Sequence, residues 1–314
     1  MAKETIAIVG AGLVGQGWAI AFARAGYPVL VHDQTDLKRV HQSIERAVDD
    51  LVVEGLCPEA APLLSMIGYE TDLATALRDA TYVQESVFER LEVKREVSLA
   101  IDRHMRADAI VGSSTSGFPG SSFTAECTNR ERFLVVHPVN PPHLIPLVEI
   151  VPAPWTAPDV PGRVRAIMDA IGQSPVSLDR EIEGFVLNRL QGALLDEAFA
   201  LLADGYASAE DIDRAVRDGL GRRWAFMGPF ETIDMNAPQG LADYARRLGP
   251  MYASFAAQRD ADRSWRDHAV KRAEAERREA LPEEDLASRR AWRDTMLARM
   301  RRFREENPRS DRSF

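Results

Sequence analysis

IAIVGAGLVGQG, residues 6–17, is the stretch around which the rest of the chain is read. Apolar residues run from Ile6 to Val9, glycines follow at 10, 12 and 15 as G-x-G-x-x-G, and Leu13 to Ala25 carries the apolar periodicity of a buried helix. The order is strand, turn, helix. In a dinucleotide-binding unit Gly10 permits the tight turn, Gly12 lets the backbone approach a pyrophosphate, and Gly15 lets helix and strand pack closely. The phosphate then meets free N–H groups at a helix N-terminus, where Leu13 and Val14 are the first residues past the turn. Glycine spacing alone fits a plain tight turn equally well.

The residues after Gly26 separate a phosphate cradle from a plain turn. There PVLVHD reads as a second strand ending in Asp33, 23 residues beyond Gly10. An acidic side chain there accepts hydrogen bonds from both adenosine ribose hydroxyls and repels a 2′-phosphate. Gln34 and Thr35 come next, with no arginine to hold such a phosphate. The expected cofactor is NAD rather than NADP.

A chain of 314 residues is long enough for two domains, each with its own core. A net charge of −9 argues against general binding to nucleic acid or to anionic membranes, although a local arginine can still hold an anionic small molecule. Cys57 and Cys127 are too few for a disulfide framework or a cysteine-rich metal site, and no metal is expected. The N-terminus enters a strand at once, with no room for a signal peptide, and no apolar run reaches membrane-spanning length. A cytoplasmic protein is expected.

Strand-like runs recur at 5–10, 28–33, 80–86, 108–114, 132–137 and 146–151, with helical patterns such as 36–54 and 90–104 between several of them. A helix near 157–171 and a strand near 174–179 complete the series. Alternation of this kind predicts an α/β, Rossmann-type doubly wound domain over 1–182, its mostly parallel sheet covered by helices. From Glu183 the strand signals stop, which predicts an all-helical domain over 183–314. GFVLNRLQGALLDEAFALLADG suits a long helix closed by Gly205, residues 207–219 another, and GPFETIDMN a turn leading into a third. The segment 255–304, rich in Arg, Glu, Asp and Ala, reads as a solvated amphipathic helix pair, and ENPRSDRSF as a frayed polar tail.

Four residues stand where chemistry could occur. His137 ends the apolar run FLVV; by itself a strand-end histidine serves packing more often than catalysis. Glu149, twelve residues later at the end of PLVE, sits where a neighbouring strand could bring its carboxylate to the imidazole. Such a carboxylate fixes the ring tautomer and stabilises the imidazolium, leaving the second nitrogen to exchange a proton with a hydroxyl. Ser116, in GSSTSG, follows a strand at the carboxyl edge of the sheet, where doubly wound folds bind ligands. Asn188 lies near the start of the long helix; a cap or packing role competes there with substrate contact.

In the order GAGLVG, ESVFERLEVK, SSTSG, HPVNPPHLIPLVEIVP and GFVLNRL, the sequence resembles the 3-hydroxyacyl-CoA dehydrogenase superfamily. Through IGQSPV, EIEGFVLNRLQ and DGLGRRWAFMGPFET it resembles more particularly the lambda-crystallin and L-gulonate 3-dehydrogenase branch. The resemblance covers about residues 5 to 250 and leaves the charged C-terminal segment unmatched. It implies that His137 and Glu149 are the catalytic pair and that Ser116 and Asn188 bond the reacting oxygen. It places Glu89 and Lys94 against the nicotinamide half of NAD, and Asn140 in the substrate site. A homodimer through the helical domain is implied as well.

The helix after the second strand, DLKRVHQSIERAVDDL, balances acids against bases and so offers little to a multiply charged CoA handle. GRRWAFMGP instead places Arg223 before Trp224, and an arginine there can pair bidentately with a small carboxylate in the interdomain cleft. These readings favour NAD-dependent oxidation of the 3-hydroxyl of a small polar hydroxy acid such as L-gulonate. L-Carnitine or a short-chain 3-hydroxyacyl-CoA is the alternative substrate, and an NAD-binding crystallin-like structural protein with little turnover the alternative class.

Overall fold

The computed structural model describes residues 4–34, 36–257 and 265–308. Eight strands form one sheet: β1 (Ile6–Val9), β2 (Val29–His32), β3 (Ile67–Glu70), β4 (Tyr82–Glu85), β5 (Ile110–Ser113), β6 (Phe133–Pro138), β7 (Leu147–Pro152) and β8 (Ser174–Ser177). Their order is β3-β2-β1-β4-β5-β6-β7-β8, and every neighbouring pair is parallel except β6 and β7. The chain first winds outward from β1 through β2 and β3, then returns to the other side of β1 with β4. Strand order thus reverses beside β1, and the glycine turn after β1 lies at that switch point. The Rossmann-type fold expected from the sequence is what forms.

Apolar alternation explains why the sheet is buried on both faces. Ile6, Ile8, Val29 and Val31 turn to one face, where Trp18, Phe22, Ile44 and Val48 of the flanking helices meet them. Ala7, Val9, Val83 and Val111 turn to the other, against Leu77 and Ile101. Helix Leu37–Val53 is capped by Asp36, whose carboxylate accepts from the Lys38 N–H.

The strand β3 and the short helix Pro229–Met235, where the sequence predicts only a turn, are additions to the expected elements. The helix that opens the second part runs over Leu187–Ala203, later than GFVL suggests, because Gly184 and Phe185 both take left-handed backbone, with φ of 71° and 49°. Gly205, with φ of 77°, comes just after its end as expected.

By packing, the chain divides into one unit of Met1–Asn188 with Arg290–Phe314 and a second of Arg189–Arg289, whereas the sequence suggests a break at 182 with 183–314 kept together. Two sets of bonds account for the difference. The N–H groups of Val186 and Leu187 bind a carboxylate of the sheet. The last helix, Leu286–Glu306, ties Arg299 to Glu54 and buries Ala298 against the large core. The second unit holds helices and no strand among its described residues, and includes Gly240–Ala257 and Asp267–Ala280. Within it Glu276 accepts the Ala209 N–H at 2.7 Å and Arg272 donates to the Leu202 carbonyl at 2.8 Å. Of the expected polar tail ENPRSDRSF, Glu306 ends the last helix and residues 309–314 lie outside the described residues.

Candidate functional site

The glycine turn meets the requirements of a pyrophosphate cradle. Gly10 has φ of 100°, and a Cβ on it would stand 2.6 Å from the Ser86 carbonyl oxygen. A Cβ on Gly15 would stand 1.9 Å from the Gly10 carbonyl oxygen, so no larger residue allows helix Leu13–Arg24 to approach β1 this closely. At Gly12, by contrast, a Cβ would meet nothing within 4 Å. Gly12 caps that helix with no side-chain bond, leaving its first N–H groups to an incoming anion. Leu13, the first residue of that helix, is 73% exposed. Just after β2, Asp33 Oδ2 accepts the Ala11 N–H at 2.7 Å, joining this carboxylate to the turn itself. These residues fit a dinucleotide.

β6 and β7 bring an imidazole and a carboxylate together. Because they run antiparallel, His137 stands directly opposite Glu149, and both lie at the edge where the parallel strands end. Alternation sends Leu134, Val136, Val148 and Ile150 into the large core and turns Val135, His137, Glu149 and Val151 to the other face. There His137 Nδ1 meets Glu149 Oε2 at 2.8 Å, with both side chains buried.

The second oxygen of Glu149 is also taken. Oε1 accepts the Val186 N–H at 2.8 Å and the Leu187 N–H at 2.9 Å, so the carboxylate caps the helix Leu187–Ala203. The left-handed turn at Gly184 and Phe185 makes this possible. A bulky residue at positive φ costs about 1–3 kcal/mol, and complete burial of Phe185 against Val135 and Val151 offsets it. The Phe185 ring lies 5.4 Å from the imidazole, centroid to centroid. Burial acts to raise the Glu149 pKa, but the bonds from His137, Leu187 and Val186 outweigh it and hold the carboxyl below its ordinary value. Glu149 is therefore ionised at neutral pH.

Ser116 lies in the loop after β5, exposed. Its N–H donates to Glu89 Oε1 at 2.7 Å, and its carbonyl accepts from Asn188 Nδ2 at 2.6 Å. Glu89 also accepts from Thr115 Oγ1 and pairs with Lys94 at 3.3 Å. Asn140 is exposed in the loop that joins β6 to β7. Arg223 stands in the second unit on the short helix Gly221–Trp224, with its side chain exposed.

Glu85, at the end of β4, is a residue the sequence reading missed. Its carboxylate, 1% exposed, receives Lys94 Nζ at 3.1 and 3.2 Å, the Val87 N–H at 2.7 Å and the Ser113 hydroxyl. Lys94 is thus shared by Glu85 and Glu89. The available signal was an acid ending an otherwise buried strand, which demands a cation nearby.

The sequence matches the NAD-binding domain of 3-hydroxyacyl-CoA dehydrogenase over residues 5–182 and the C-terminal domain of the same enzyme over 184–280. A lambda-crystallin homolog of Bos taurus is 37% identical over 310 residues, covering 96% of each chain. An L-carnitine dehydrogenase of Bacillus cereus is 38% identical over 250 residues, covering 79% of this chain and 76% of that one. Among solved structures, 5-formyl-3-hydroxy-2-methylpyridine 4-carboxylic acid 5-dehydrogenase, an NAD+-dependent dismutase, superposes with a TM-score of 0.78 at 28% identity, over 97% of this chain and 99% of that one.

Proposed function

The chain belongs to the 3-hydroxyacyl-CoA dehydrogenase family, whose two domains it carries in order, and from that premise we propose that it oxidises the 3-hydroxyl of a small polar hydroxy acid, L-gulonate or a related sugar acid. The observation that carries this reading is the His137–Glu149 pair at 2.8 Å, set at the strand ends beside the Ser116 loop. The Gly10–Gly15 turn and Asp33 would hold NAD, which when bound would supply the acceptor for a hydride from the carbinol carbon. His137 takes the hydroxyl proton on Nε2, because Glu149 holds Nδ1 as the donor nitrogen and stabilises the imidazolium that forms. The Ser116 hydroxyl and the second amide hydrogen of Asn188 bond the oxygen as it becomes a carbonyl. Lys94 and Glu89 border the nicotinamide side, and Asn140 the substrate side.

Arg223 is the proposed carboxylate partner. Similarity to an L-carnitine dehydrogenase supports a small substrate without a CoA handle. Exposed Phe226, Phe230, Met251 and Phe255 on the second unit support a homodimer formed through it.

Measuring NADH formation with L-gulonate, other 3-hydroxy acids, L-carnitine and 3-hydroxybutyryl-CoA tests the reading. Turnover of a free hydroxy acid is expected. Turnover of the thioester alone would replace the hydroxy-acid reading with an acyl-CoA one, and no turnover of any would favour a crystallin-like role.

A further inference from the structure

We propose that the last helix clamps the loop joining the His137 and Glu149 strands, with Arg301 as a positioning residue for that loop. The helix lies beyond the residues matched to the family's two domains, which end at 280. Its sequence, LASRRAWRDTMLARMRRFREE, is what a solvated face would carry. Yet Arg301 is only 7% exposed. Its guanidinium donates Nη1 to the His143 carbonyl at 3.0 Å, Nη2 to the Gly172 carbonyl at 3.3 Å and Nε to Glu305 at 2.9 Å. A buried arginine whose three nitrogens all reach acceptors is a fastener, since burying that charge costs several kcal/mol unless its donors are met.

What Arg301 fastens is the segment VNPPHLIP, residues 139–146, between β6 and β7. The segment is held from two further directions. Gln173 Nε2 donates to the Pro142 carbonyl at 3.1 Å. Gly17, on the helix after the glycine turn, packs so closely that a Cβ there would stand 2.6 Å from Pro142 Cδ. The loop is therefore pressed between the cofactor-domain helix and the C-terminal helix, while Asn140, two residues beyond the end of β6, stays exposed. Within the loop the Leu144 and Ile145 N–H groups both bond the Pro141 carbonyl, at 3.0 and 2.9 Å. The helix is itself anchored on either side of Arg301: Arg299 Nε bonds Glu54 at 2.8 Å, and Glu305 pairs with Arg24.

The kinetic consequence rests on the proposed reading of His137 and Asn140 as site residues; the mechanical one does not. Arg301→Met keeps the aliphatic stem and removes the three donors, and Arg301→Lys keeps one charge without the fork. Hydrogen exchange on the whole protein is expected to show Leu144 and Ile145 exchanging about tenfold or more faster in Arg301→Met, and less so in Arg301→Lys, with the central strands unchanged. KM for the best hydroxy acid is expected to rise roughly 2- to 10-fold while NADH binds with its original Kd. Glu305→Gln, a milder change, is expected to give the same loop-specific acceleration in smaller degree should Arg301→Met not accumulate as folded protein. Unchanged exchange across 139–147 overturns the clamp whatever His137 does, because that measurement uses no substrate. Faster loop exchange with unaltered kinetics overturns the positioning role, as does an equal loss of hydroxy-acid and NADH binding.

Discussion

The side-chain amide of Asn188 donates to the main-chain carbonyl of Ser116 at 2.6 Å, latching the start of the helix Leu187–Ala203 to the loop after β5. One amide hydrogen is thereby committed to holding Ser116 in place. Asn188→Asp keeps the size but sets a carboxylate oxygen against that carbonyl. A lost bond with an acceptor left facing an acceptor costs about 1–3 kcal/mol, so kcat/KM is expected to fall roughly 5- to 150-fold with NADH affinity unchanged. Steady-state kinetics beside an NADH titration decide it; unaltered kcat/KM would leave Asn188 outside the site.

His137→Gln removes the proposed proton acceptor without changing the strand it sits on. Turnover is expected to drop by roughly 10²–10⁴-fold while NADH binding persists. Glu149→Gln is expected to lower turnover too, and also to loosen the helix start, because Val186 and Leu187 lose a charged acceptor. Near-normal turnover of the His137 variant at neutral pH would move proton transfer to another group.

The parts of this architecture legible in the sequence are those where chemistry and periodicity coincide. The glycine turn, Asp33 and the His137–Glu149 pairing all arise from apolar runs with polar ends, because alternation alone sends those two side chains to the same face of adjacent strands. β3 was hidden because IGYE is four residues long and buries only Ile67. The packing of the last helix was hidden for a different reason. It buries only Ala298 and Arg301, and a buried arginine looks like a solvated one until its acceptors, which are remote carbonyls, are in view. Glu85 was overlooked for the same reason, its cation lying nine residues away on the next helix.

Arg223 carries the prediction about substrate class. Pairing of a planar guanidinium with a carboxylate is bidentate, so Arg223→Lys should raise KM for the acid and Arg223→Met should raise it further. A charge-assisted bond of about 1.5–3 kcal/mol corresponds to roughly 10- to 150-fold in kcat/KM. The acid and its uncharged amide are to be compared on the same variants. A loss confined to the acid is expected; equal losses on both would make Arg223 structural.

His143 gives stability a pH dependence of calculable sign. Burial first, and then the Arg301 guanidinium, push its imidazole down to about 4, against an ordinary value of about 6.5. Above pH 6.5 it is neutral in both folded and unfolded chains and contributes nothing to the slope. As pH falls from about 6.5 toward 4 the unfolded chain takes up a proton that the folded one refuses, so stability falls, by about 3 kcal/mol at most. Replacing His143 with Leu should flatten this part of the curve relative to the unmodified protein. Denaturant midpoints at pH 7.5, 6 and 5 provide the comparison, and parallel curves would sink the assignment.

Glu85 and Lys94 offer the sharpest separation of stability from function. Both are 1% exposed, and each is the other's closest charge. Removing one partner from such a pair costs about 3–5 kcal/mol, chiefly because the remaining charge is buried without it. Here Glu85→Gln leaves Lys94 with Glu89 at 3.3 Å, so a loss toward the lower end is expected. Lys94→Met leaves two carboxylates facing each other and should be worse. The double variant Glu85→Gln, Lys94→Met should be less destabilised than the two single losses added together, because the second change relieves the charge stranded by the first. Turnover separates the two residues' roles further. Lys94→Met also frees Glu89, whose Oε1 holds the Thr115 hydroxyl and the Ser116 N–H, so it should lower kcat, whereas Glu85→Gln should act mainly on the unfolding midpoint. Equal effects of both single variants on kcat, at temperatures where both are folded, would overturn this separation of roles.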